Sequence, residues 1–267
     1  MDAQLLVICL LTFVINLIGT LAYSARIAGV RTRKIALSFA LFNILVLVSR
    51  TSNSFLGPFL AKRIEVRLAD GSGATLFADF QLVLLSASAA VAVGIVLVPT
   101  VQRLFAKAIG YFQEHRSTAK LVMKTATPTG LKAVRDAVHP PSLTHLRGFT
   151  KERGVGWGVL VSNCLAQALL TVGVMASLYA GYLNPEFRVT ASQLSALING
   201  FATILLFALI DPQLSVMTDD AVDGRISEAL FRRTIVWISL SRLAGTLLAQ
   251  VLFLPSAMLV AWIANYV

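Results

Sequence analysis

The chain alternates long apolar runs with shorter polar connections. Apolar residues dominate from Leu5 to Tyr23, from Ile35 to about Leu60, from Leu76 to Val98, from Gly156 to Leu183, from Ala191 to Ile210 and from Thr234 to about Tyr266. One helical crossing of a bilayer takes about 20 mostly apolar residues. The pattern therefore predicts six transmembrane helices, over 5–23, 35–60, 76–98, 156–183, 191–210 and 234–266. The expected fold class is an all-α polytopic integral membrane protein, with 1–267 forming a single membrane domain. The sixth run is too long for one straight crossing, so a kink at Pro255 or a tilted end in the interface is expected. Residues 99–155 connect the third and fourth runs. There Val101, Leu104, Phe105, Ala108 and Phe112 recur at helical spacing, with Arg103, Lys107 and Arg116 on other faces. That arrangement predicts a basic amphipathic helix lying on an anionic leaflet. A second helical stretch around Leu131, Val134 and Val138 is expected to stop at Pro140-Pro141. The plain reading of this connection is a cytoplasmic anchor with no part in chemistry.

Composition agrees and narrows the class. Of 267 residues, 57% are hydrophobic and only 13% charged, where a soluble domain carries about 25% charge; mean hydropathy is +0.77. A soluble enzyme, a disulfide-stapled secreted domain and a disordered chain are excluded together. Cys9 and Cys164 lie in separate apolar runs without a second ligand at metal spacing, so they read as small buried hydrophobes. The first run is not a signal peptide by its charge order: Asp2 precedes it, and Arg26, Arg31, Arg33 and Lys34 follow it.

The net charge of +10 raises three kinds of partner: nucleic acid, an anionic leaflet or an anionic substrate. Its distribution decides. With both termini outside, seventeen Lys and Arg fall in cytoplasmic connections and four in external ones, as the positive-inside rule requires. Most of the basic excess is thus a topology signal, and no nucleic acid partner is called for. Three spans precede the long connection and three follow it, which fits the 3+3 inverted-topology arrangement of many transporters.

Polar groups inside apolar runs are the informative residues, since a charge at the bilayer centre costs about 2.5–3.5 kcal/mol on insertion scales. Arg50 lies within Ser49-Arg50-Thr51-Ser52-Asn53, in the outer half of the second run, and Arg242 lies in the inner half of the sixth. Snorkelling to the interface would satisfy either one. Asn16, Asn43, Asn163 and Asn199 each sit in a different run and individually would serve as interhelical hydrogen bonders. Together with two arginines they suggest a hydrated interior path. Gly19, Gly29, Gly57, Gly94, Gly173, Gly200 and Gly245 would allow close helix approach. Asp211, just before Pro212, would pair with a buried arginine or take up a proton.

Asp220-Ala221-Val222-Asp223-Gly224 resembles the opening of the CDP-alcohol phosphotransferase motif, but no Asp follows Asp223. Half a metal site cannot run two-metal chemistry. No Gly-x-x-x-x-Gly-Lys-Ser/Thr nucleotide loop is present, and His115, His139 and His145 are not at ligand spacing. No cofactor, metal or catalytic apparatus is therefore expected. A charged path without an ATPase reads as a secondary transporter or flippase for an anion.

A family resemblance joins this reading. The stretch Thr20-Leu21-Ala22-Tyr23-Ser24-Ala25-Arg26-Ile27-Ala28-Gly29-Val30-Arg31-Thr32-Arg33, followed by Ser38-Phe39-Ala40-Leu41-Phe42-Asn43 and Ser49-Arg50-Thr51-Ser52-Asn53, resembles the Amj family of bacterial lipid II flippases. Length, six-span hydropathy and the segment from Asp211-Pro212 to Asp219-Asp220 are similar too. The resemblance implies export of lipid II, the undecaprenyl-pyrophosphate-linked disaccharide-pentapeptide, across the bacterial cytoplasmic membrane for peptidoglycan synthesis, as an alternative to the unrelated MurJ flippases. It implies no site residues.

Those follow from chemistry instead. Guanidinium suits pyrophosphate through charged, bidentate hydrogen bonding. Arg26, Arg31 and Arg33 would collect the head group at the inner mouth, Arg242 and Arg50 would be successive stations, and Asn43 and Asn53 would hydrogen-bond phosphate or sugar. Asp211 would act as charge partner or coupling group. An ion-coupled transporter of another anionic lipid or solute, and an envelope scaffold acting through the basic connection, are the alternatives. Homo-oligomer formation is left open.

Overall fold

The computed structural model describes residues 2–117, 120, 121, 123, 127–138 and 154–267. Among them the chain forms helices and no strand: α1 (Ala3–Thr32), α2 (Ile35–Ala69), α3 (Leu76–His115), α4 (Pro128–Ala137), α5 (Trp157–Leu183), α6 (Arg188–Gln193), α7 (Ser195–Leu205), α8 (Asp211–Val222) and α9 (Glu228–Ile263). A π-turn, Leu206–Ile210, joins α7 to α8. Six stretches are long and apolar enough to cross a membrane, with α6, α7, the π-turn and α8 together making the fifth. The protein is an all-α polytopic membrane protein. Both described ends of the chain lie at one end of the bundle, the terminal end; Arg31, Arg33, the end of α3 and the start of α5 lie at the other, the basic end.

The helices outrun the apolar stretches that nucleate them. α2 continues past Leu60 to Ala69, and α9 begins at Glu228, capped by Ser227, whose hydroxyl accepts from the Leu230 N–H at 3.2 Å. The amphipathic stretch around Val101 to Phe112 is not a separate helix. It is the tail of α3, which passes through Pro99 unbroken and at 1.5 Å per residue is about 60 Å long. Inside it, Phe105 and Ile109 bury against Leu41 and Phe42 of α2, so that tail packs on its own bundle. α9 likewise runs helical through Pro255. The helical stretch expected around Leu131 to Val138 is α4; Pro140-Pro141, His139, His145 and the rest of that connection lie outside the described residues.

One packing scheme recurs in both halves. α1 packs closely against α2 and α3, which touch each other only marginally; α5 packs closely against α9 and the fifth span, which again touch only marginally. Small residues make the close approaches. A Cβ at Gly94 of α3 would meet the Thr20 side chain at 2.8 Å, and one at Gly245 of α9 would collide with the Cys164 carbonyl. Gly57 and Gly200, expected to serve similarly, face open space. The halves meet mainly where α3 crosses α9; there the Gln81 side-chain amide donates to the Gln250 carbonyl at 3.1 Å.

The outermost helices, α2 and the fifth span, are the least buried. They meet at the terminal end through Glu65 and Arg188, 3.9 Å apart, and are not packed together along the rest of their length. At that same end Leu56, Leu60 and Ile64 of α2 share a core with Val172, Met175 and Tyr179 of α5. α2 and the second half are thus joined at the terminal end, and α2 and the fifth span are not packed together towards the basic end.

Candidate functional site

Two helices carry polar sectors at membrane depth. On α1, Thr12, Asn16, Gly19, Tyr23 and Arg26 recur at intervals of three and four, which places them on one face. That face turns towards the second half of the molecule. Arg26 Nη2 lies 3.3 Å from Asp211 Oδ1, and a Cβ added at Gly19 would sit 2.5 Å from Arg242 Nη2. Gly19 therefore clears the space that the Arg242 guanidinium occupies. Since Gly19 is close to the middle of α1, Arg242 reaches mid-depth, deeper than its position along the sixth apolar run suggests. The reason is that α9 starts at Glu228, placing Arg242 about 21 Å along it.

Tyr23 stands between the two arginines and its hydroxyl interacts with the Arg242 guanidinium. Nε of Arg242 is enclosed without a hydrogen-bond partner. Arg26 is held from another side by Phe39 of α2, whose ring centroid is 5.1 Å from Cζ, a cation–π distance. The carboxylate of Asp211 is positioned by the helix defect before it. Pro212 has no N–H and its ring would clash with the carbonyl four residues back, and the backbone widens to a π-turn over Leu206–Ile210. Such defects gather at functional positions.

On α2, Phe39, Asn43, Arg50 and Asn53 fall within a sector of about 80° at 100° per residue. Ser38, Leu41, Ser52 and Leu56, on the other side, are buried against the bundle. Asn43, Arg50 and Asn53 are exposed. Phe39, at one end of this sector, touches Arg26; Ile64, in the same sector at the other end, belongs to the core shared with α5. The exposed polar sector thus runs along α2 between its contact with Arg26 and its contact with α5.

The residues singled out by sequence fall into three groups. Arg26, Asp211 and Arg242 converge, with Tyr23 and Gly19 completing the cluster. Arg31 and Arg33 are exposed at the basic end, Arg33 in a left-handed cap with φ 55°. Asn43, Arg50 and Asn53 form the exposed α2 sector and do not reach that cluster's ion pair. Of the other asparagines, Asn163 joins α5 to α9, its Nδ2 donating to the Ile238 carbonyl at 3.1 Å and to Ser241 Oγ at 3.2 Å, whereas Asn16 Nδ2 donates within α1, to the Thr12 carbonyl at 3.0 Å, and Asn199 Oδ1 is enclosed without a hydrogen-bond partner. Asp220 and Asp223 both pair with Arg225 in the turn before α9.

Sequence reasoning missed Tyr23 as a functional candidate and a whole ionic cluster at the terminal end. Arg63 is 2% exposed and binds two carboxylates, Asp2 at 2.8 Å and Asp79 at 2.7 Å. Arg67 adds a second contact to Asp2 at 3.4 Å. Asp2 also caps α1, accepting from the Leu5 N–H at 2.9 Å. The Arg63 hydrogen bond, followed by that from Leu5, lowers the Asp2 carboxyl to about 2. The available signal is a lone Asp79 near the start of an apolar run, facing Arg63, which by run length belongs to the second connection.

Comparison with known proteins identifies the relatives. The family described as "Amj: Alternate to MurJ" matches residues 11–264. The chain belongs to this family. It is 35% identical over 268 residues to the lipid II flippase Amj of Bacillus subtilis (strain 168), covering 98% of this chain and 97% of that protein. No solved structure matches. Both polar sectors and the Arg26–Asp211 pair lie within the matched region.

Proposed function

We propose that this protein is a lipid II flippase, a transporter and not an enzyme, moving the undecaprenyl-pyrophosphate-linked precursor from the inner to the outer leaflet of the bacterial cytoplasmic membrane. The Amj relative named for that activity aligns over nearly the whole chain. The observation that carries the reading physically is the pair of cationic side chains at membrane depth, Arg26 with the single carboxylate Asp211 and Arg242 with the Tyr23 hydroxyl. With the basic end in the cytoplasm, as loop charge favours, Arg31 and Arg33 gather the anionic head group at the mouth. Arg26 and Arg242 receive the pyrophosphate, and the α2 sector of Asn43, Arg50 and Asn53 guides sugar and phosphate onward. The polyprenyl tail stays in lipid and passes through the gap beside α2. No nucleotide is consumed. Moving one charge through 100 mV is worth about 2.3 kcal/mol, and an anion leaving a negative interior moves downhill. The α2 sector and the Arg242 cluster are two walls of this route, in place of the single file of stations at different depths that sequence spacing suggests.

The test is reconstitution of the purified protein in vesicles with defined lipid II, with appearance in the opposite leaflet read by impermeant labelling. Transport without ATP is expected. Absence of transport, or an equal rate for unrelated anionic solutes, would overturn the reading. Deleting residues 117–153 is expected to leave measurable transport; complete loss of cellular function with intact in vitro transport would favour an envelope scaffold instead.

A further inference from the structure

We propose that Asp211 is a built-in counterion for Arg26 which an incoming diphosphate displaces, so that Arg26, Tyr23 and Arg242 together form the diphosphate-binding site. This deepens the flippase reading and rests on it only for the identity of the lipid; the anion chemistry stands on the geometry.

The pair is weak by construction. Asp211 makes one contact to Arg26, at 3.3 Å, and its side chain is 42% exposed, whereas the Arg26 side chain is 14% exposed. An exposed carboxylate returns to water at little cost, while a buried guanidinium left alone is penalised. Arg26 would stay in place when the carboxylate leaves, because Phe39 holds it from α2. The π-turn immediately before Asp211 provides the point at which α8 can shift relative to α7.

The second cation is already waiting. Arg242 is matched by the neutral hydroxyl of Tyr23 and its enclosed Nε has no partner, and Gly19 leaves it room against α1. Charge balance then selects the ligand. A diphosphate diester carries one ionised oxygen on each phosphorus. Two guanidinium groups neutralise it when Asp211 has withdrawn, and the site is left one negative charge in excess when Asp211 stays. A monoanionic phospholipid head group would not require the displacement. Tyr23 can donate its O–H to the bridging or terminal oxygens between the two arginines.

The displacement has a sign that a structural role does not share: removing the carboxylate should strengthen anion binding. The full-length protein in lipid nanodiscs is measured with three probes, inorganic pyrophosphate, a polyprenyl diphosphate esterified at its far end to a sugar, and the matching phosphate-free polyprenol. Asp211→Asn is expected to bind both diphosphates roughly tenfold more tightly than the unaltered protein, and the polyprenol no better. Arg242→Gln and Tyr23→Phe are expected to bind them more weakly, and Asp211→Glu to match the parent. Arg26→Gln combined with Asp211→Asn should fall below the parent, which separates loss of a competitor from gain of a cation.

Equal or weaker diphosphate binding by Asp211→Asn would overturn the proposal. If that variant proves too unstable to measure, unchanged affinity in both Arg242→Gln and Tyr23→Phe would overturn it. Tightening for the polyprenyl diphosphate alone identifies the lipid head group as ligand, and tightening for both identifies any diphosphate; either supports the site. Tighter binding by Asp211→Asn alongside no lipid II transport by the parent keeps this site and removes the flippase reading.

Discussion

The two ends of the bundle handle buried arginine in opposite ways. At the terminal end Arg63 is surrounded by two carboxylates, and its neighbour Arg67 shares both. Every donor in that cluster has a fixed place, and the cluster ties the first residues of α1 to the end of α2 and the start of α3. Towards the basic end Arg26 has a single half-exposed carboxylate, and Arg242, at mid-depth, has a tyrosine hydroxyl and an enclosed nitrogen with nothing to bond. A saturated network adds rigidity. An undersupplied one invites a ligand, since an unpaired buried donor is expensive until an acceptor arrives.

This contrast is broken most forcefully at the saturated end. Arg63→Ala leaves the buried Asp79 with only the 3.8 Å contact to Arg67, a loss approaching that of a broken buried pair, about 3–5 kcal/mol. The expected outcome is a large drop in melting temperature in detergent and poor accumulation in the membrane; a protein that melts like the parent would show the cluster to be dispensable. Next in size is Arg242→Ala. Transport should fall by roughly tenfold or more, as for loss of a charged hydrogen-bonding group, while the melting temperature holds or rises because an under-satisfied charge is gone. Comparable losses at both measurements would make Arg242 structural, like Arg63.

Arg50→Gln should slow lipid II movement by a smaller factor with no change in melting temperature, because the side chain is exposed and has no ion-pair partner among the described residues. Normal transport would take the α2 sector out of the route. The smallest effect belongs to Asp2. Its carboxyl is held at about 2 in the folded protein against an ordinary 3.8, so its contribution is fully present above about pH 4 and is lost as pH falls through about 2. Its side chain is 49% exposed, so solvent screens the interaction and the change is modest. Melting curves at pH 5 and pH 2 for the parent and Asp2→Asn should converge at the lower pH; a constant gap would assign the effect to helix capping alone.

Part of this was legible in advance. Six crossings follow from apolar run length, and the separation of Arg50 and Arg242 from the other basic residues follows from counting charges in connections. Asp211 was picked out because it interrupts an apolar run before a proline, and Arg26 because it joins a basic mouth. Tyr23 carried no such signal: a tyrosine at the end of an apolar run is ordinary, and only its neighbours in space give it a role. Arg63 misled for the complementary reason. It sits among Lys62 and Arg67 and reads as a loop charge, yet α2 continues through it and turns it inward against Asp79. The tail of α3 reads as a separate surface helix from sequence because its amphipathic spacing is the same whether the apolar face meets lipid or meets Leu41 and Phe42.

The sequence by itself determined the class of molecule, the number of crossings and the short roster of charges that the membrane makes costly. These depend on run length and composition, which are local and additive. Tertiary structure decided which of those charges are neutralised and which are left short. That outcome depends on contacts such as Arg26 with Asp211 and Gly19 with Arg242, made between helices far apart in the chain. Ion pairing at membrane depth depends on a few ångströms of separation, and no spacing along a single helix specifies it.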